Sequence, residues 1–105
     1  MTDLEKNELF TDCYELLDIF KEYAPIRDDG SYMLEAVKPC YEAMIDYVFK
    51  GDSEADRLKA FLDNTDFWQA PASTRFHGNF KGGLSLHTMM GIKQSFTFAK
   101  SILEN

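Results

Sequence analysis

The sequence predicts an all-α fold, a compact domain of about four helices with one long ordered loop, and three observations lead there. Apolar residues recur at three- and four-residue intervals over most of the chain. Proline and glycine residues divide those stretches where helices would stop. No stretch reads as a strand, and there is no internal repeat. With 105 residues, 45% of them hydrophobic, the chain suffices for one domain with a modest core. The expected organisation is a single domain over 1–105, with N-terminal helices in 1–64, a motif loop in 65–83 and a C-terminal helix in 84–104.

The elements follow in order. Thr2 followed by Glu5 has the spacing of a capping box, in which each side chain satisfies an otherwise free group at the helix start. Leu4, Leu9, Phe10, Cys13, Leu16, Leu17 and Phe20 then mark one buried face. Pro25 ends this helix, and Ala24–Gly30 reads as a loop. Ser31 is the expected N-cap of a second helix. That helix meets Pro39, which either kinks it or occupies the first turn of a new one. Tyr41, Met44, Ile45 and Val48 continue the period, and Gly51 is the expected C-cap. Ser53 with Asp56 opens a third helix carrying Leu58, Phe61 and Leu62, which fades near Asn64. From Leu84 a fourth helix places Leu86, Met89, Ile92, Phe96, Ala99 and Leu103 on one stripe.

Charge bounds the function. The net charge of −7 argues against a general nucleic-acid binder. The charge is uneven, however. Met1 to Asp66 holds 7 Lys and Arg against 17 Asp and Glu, whereas Phe67 to Asn105 holds Arg75, Lys81, Lys93 and Lys100 against Glu104 alone. An anionic ligand is therefore best tolerated in the C-terminal third. The start of the chain is polar and acidic, unlike a signal peptide, and no apolar run is long enough to span a bilayer. With two cysteines, Cys13 and Cys40, the expectation is a pair of reduced thiols in a cytoplasmic protein without a membrane partner.

Residues 67–83, FWQAPASTRFHGNFKGG, break the helical pattern. A loop of this length in a small domain is either functional or disordered. Phe67, Trp68, Phe76 and Phe80 supply apolar area to hold it in place, which favours order. Phe67 and Trp68 are the expected anchors to the core. For Phe80 and Phe76, burial is expected ahead of stacking on a base. In sequence, the segment presents Phe67, Trp68, Ala70, Pro71, Ser73, Arg75, His77, Gly82, Gly83, Leu84 and His87. This order, an aromatic pair, AP-x-S, a basic residue with a His, then GGL-x-x-H at a helix start, resembles the opening segment of HD-superfamily metal-dependent phosphohydrolases. The likeness runs from Asp63 to Gln94, under a third of the chain, and is dense within it.

The resemblance implies a function. In that family the His after GGL is the first ligand of a divalent metal that activates water against a phosphoester, usually in a nucleotide or nucleic acid. His87 would be that ligand, and Arg75, His77 and Lys81 would meet phosphate oxygens from the loop through charge-assisted hydrogen bonds. Independently of family, the glycines allow a sharp turn into the helix, whose N-terminus attracts anions. The chain departs from the family in one respect: a His-Asp pair and a later Asp should follow, but after His87 there is no His and no Asp, and Glu104 is the only carboxylate. One imidazole does not hold a catalytic metal. A divalent metal is therefore expected only where another segment or chain completes the site, and no catalytic residue is assigned.

At about 100° per residue, His87, Gly91, Gln94 and Phe98 share the helix face opposite the Leu86–Leu103 stripe. Met90, Gln94 and Phe98 are the expected contact residues there. Two functions compete. The chain is either a partial HD-type phosphohydrolase completed by a complementary HD segment, or a non-catalytic helical interaction or regulatory module. The second would act as a homo-oligomer or with a complete partner. Retained binding of a nucleotide or nucleic acid by the basic loop, without catalysis, is the third expectation.

Overall fold

The computed structural model describes residues 2–71 and 80–104, and among them the chain is all helical. Four helices follow one another: α1 (Asp3–Tyr23), α2 (Leu34–Val48), α3 (Ser53–Asp63) and α4 (Gly83–Leu103). α1 packs on both α2 and α4, α2 also meets α4, and α3 docks on α2. The core comes from three helices. Leu16 and Phe20 of α1 meet Val37, Cys40, Tyr41 and Met44 of α2 and Leu86 and Met89 of α4. α3 contributes nothing to this cluster and buries only Ala55, so it is a strut against the outside of α2. Both cysteines are buried and unpaired.

The α1 cap forms as the spacing predicts, with the Glu5 N–H donating to Thr2 Oγ1 at 3.1 Å. The return bond differs from the standard box, because Thr2 Oγ1 donates to the Glu5 carboxylate at 3.0 Å. The buried face of α1 is shorter than the sequence pattern suggests. Cys13, Leu16 and Phe20 are buried, but Leu4 is 68% and Leu9 47% exposed. The reason is length. Tyr14 already reaches the far end of α4, donating from its hydroxyl to the Glu104 carboxylate, so the turns before it run past the helix that would cover them.

α1 stops at Ala24, which adopts the left-handed conformation (φ 50) and returns its N–H to the Phe20 carbonyl at 2.8 Å. Pro25 follows and is buried. Ser31 does not cap α2. Its N–H and hydroxyl both donate to Asp29 Oδ1, at 2.9 and 2.6 Å, closing a turn that an isolated antiparallel bridge between Ile26 and Tyr32 extends. An Asx-type turn competes for the same serine that a helix cap would use. The cap position falls to Met33, which offers no side-chain bond.

Pro39 lies inside α2, past its first turn, on the exposed side. Having no N–H, it gives no ladder bond to the carbonyl one turn earlier. At the other end, Phe49 is the C-cap of α2, and Lys50 (φ 54) and the expected cap Gly51 (φ 73), which follow it, are both left-handed. The Lys50 N–H reaches the Tyr47 carbonyl and the Gly51 N–H the Asp46 carbonyl, at 3.2 and 3.0 Å. That pair of bonds is a Schellman motif. α3 opens at Ser53 as expected, with Asp52 at the cap position making no side-chain capping bond, and ends at Asn64 as its composition suggests. Phe61 on α3 is 65% exposed. Along α4 the predicted stripe faces the core: Leu86 and Met89 are buried and Ile92, Phe96, Ala99 and Leu103 half-buried.

Candidate functional site

The site named by the sequence sits where the motif loop enters α4. Phe67 and Trp68 are half-buried and pack edge-on against the buried Tyr41 ring, with centroids 5.7 and 5.4 Å away and 5.0 Å from each other. They anchor the loop as their size predicts. Two further groups, Asp63 and Lys38, fasten Trp68. Its indole N–H donates to Asp63 Oδ1 at 3.2 Å, Lys38 Nζ lies 2.9 Å from the same oxygen, and that ammonium stands 5.7 Å from the indole ring. Lys38 holds the Asp63 carboxyl below its ordinary value through this hydrogen bond, while the lysine is held above its own. At the far side of the loop, Phe80 stacks on Tyr32, with rings 5.8 Å apart and 5° from parallel. Phe80 packs against the core, so it is an anchor too.

The two ends of the loop close on each other through backbone. The Gly82 N–H donates to the Gln69 carbonyl at 3.0 Å, and the Leu84 N–H to the Ala70 carbonyl at 3.0 Å. The Gly83 N–H donates to the Phe80 carbonyl at 2.9 Å. Gly82 is the N-cap of α4 and is left-handed (φ 87); an added Cβ would lie in ordinary contact with the Trp68 carbonyl, at 3.5 Å, so the backbone conformation is what calls for glycine. These bonds change the expectation of anion capture by the helix terminus. Three of the amides that a phosphate would use are already spent on the chain's own carbonyls. Phosphate recognition here would fall to side chains.

Tyr41 ties this junction to α2. Its hydroxyl donates to the Ser85 carbonyl at 3.0 Å, two residues before His87, while Ser85 Oγ donates to the Gly82 carbonyl at 3.0 Å. Burial pushes the Tyr41 phenol well above its ordinary value. Neither Tyr41 nor the Lys38–Asp63 pair that holds Trp68 stands out in the sequence as part of the site. Their partners are brought from other elements by folding, and no local motif marks them.

Five of the predicted site residues, Lys81, His87, Met90, Gln94 and Phe98, lie among the described residues. His87 is exposed on α4, and Gly91, Gln94 and Phe98 are exposed along the same side, as helical geometry requires. Met90 is half-buried. Met90, Gln94 and Phe98 line one groove of about 520 Å³, whose other wall is the Ile26–Gly30 turn. His87 is not part of that groove; it lies one turn nearer the start of α4. Lys81 is exposed at the mouth of α4 and borders a shallow pocket of about 290 Å³ with Lys38, Trp68 and Glu35. Arg75 and His77, the other phosphate-contact candidates, lie outside the described residues, as does Phe76.

A divalent metal needs three or more donors converging on one point, and among the described residues no three His, Cys, Asp or Glu side chains gather in that way. His87 has no second ligand from the described part of this chain, so these residues do not fit a metal centre by themselves. None of the described helices is long and apolar enough to cross a membrane. No known protein family matches the chain, and neither does any curated protein or solved structure.

Proposed function

We propose that this chain is the opening part of an HD-type phosphohydrolase fold, inactive by itself, in which α4 presents His87 towards a second helical segment. The carrying observation is the open side of α4. His87 and Gln94 are exposed there, and Phe98, a large apolar side chain, is 69% exposed. The motif order from Phe67 to His87 supplies the chemical class, phosphoesters of nucleotides or nucleic acid, and the loop anchors hold the start of α4 in one position. Activity would await a segment bringing a His-Asp pair and a final Asp to His87, because ligands from this chain are too few.

The test measures nucleotide and oligonucleotide hydrolysis with Mn²⁺ or Mg²⁺, for this chain and for a longer protein that continues through the reading frame downstream of Asn105. Metal-dependent hydrolysis by the longer protein only, abolished by His87→Ala, supports the proposal. A longer protein carrying the His-Asp pair but inactive on every phosphoester would overturn it.

A second reading is favoured by the groove beside Phe98. Met90, Gln94 and Phe98 gather with Ile26 into one partly apolar recess, which suits a helical interaction module that pairs with another copy of itself. Light scattering across a concentration series separates the two. A monomer at every concentration that recovers no partner removes the support for this second reading.

A further inference from the structure

We draw no further inference here: the strongest candidate, the groove between α4 and the Ile26–Gly30 turn lined by Met90, Lys93 and Phe98, belongs to the α4 face already described, and nothing in the structure shows what covers it.

Discussion

Lys50 and Gly82 occupy the same left-handed region of backbone space and make opposite predictions. At Lys50 (φ 54) a Cβ is carried where glycine is at ease, so Lys50→Gly should raise stability by about 0.5–1 kcal/mol, read from urea denaturation. At Gly82 (φ 87) the glycine is needed, and Gly82→Ala should cost about 1–2 kcal/mol. The burial of Cys40 gives a pH prediction. Its thiol is pushed from an ordinary 9.0 up to about 12 by loss of water. The folded state therefore keeps the proton longer than the unfolded chain does. That contribution is fully present below pH 9 and is lost as pH rises towards about 12. Stability measured from pH 8 to 11 should fall across this window, and Cys40→Ala should flatten part of the fall. In native protein at pH 8, Cys40 should resist a thiol reagent that labels it after unfolding. Rapid labelling without unfolding would contradict the burial.

At the scale of elements, α4 divides into a packed stripe and an open side, and two substitutions measure the division. Met89, fully buried between α1 and α2, should cost about 2–5 kcal/mol when changed to alanine. Phe98→Ser should change the stability of this chain by no more than about 0.5 kcal/mol, since the ring contributes little to the core. A large loss at Phe98 would mean that its face is covered in solution. The loop junction gives a further expectation. Tyr41→Phe removes the hydrogen bond to the Ser85 carbonyl and should cost about 1 kcal/mol, with the fluorescence of the sole tryptophan, Trp68, reporting whether the loop stays docked.

Which features the sequence revealed depends on whether their cause is local. The α4 stripe was legible because helical periodicity is local. The ends of helices were legible only to within a residue or two. Ser31 was drawn into a turn by Asp29, and α2 is capped by Phe49, two residues before Gly51. The closure of Gln69 and Ala70 onto the start of α4 was not legible, because those bonds join residues more than ten positions apart.

For the whole molecule, the described helices leave an uneven surface. The first turns of α1 project beyond α4, α3 braces α2 from outside, and the His87 side of α4 faces outward. Such an arrangement suits a domain whose remaining contacts come from elsewhere, and the α4 face is where the chemical signature and the open surface coincide. The ion pairs around it, Lys100 with Glu104 and Lys93 with Asp28 among them, join half-buried lysines to exposed carboxylates. They set the surface charge but contribute little stability.

His87 is proposed as one ligand of a site that this chain does not complete. Manganese binding, followed by electron paramagnetic resonance on this chain and on the protein extended downstream of Asn105, tests it most directly. No stoichiometric Mn²⁺ is expected on the 105-residue chain, and one or more bound ions, lost with His87→Ala, are expected on the extended protein. Stoichiometric binding by this chain, or binding by the extended protein that survives His87→Ala, would contradict it.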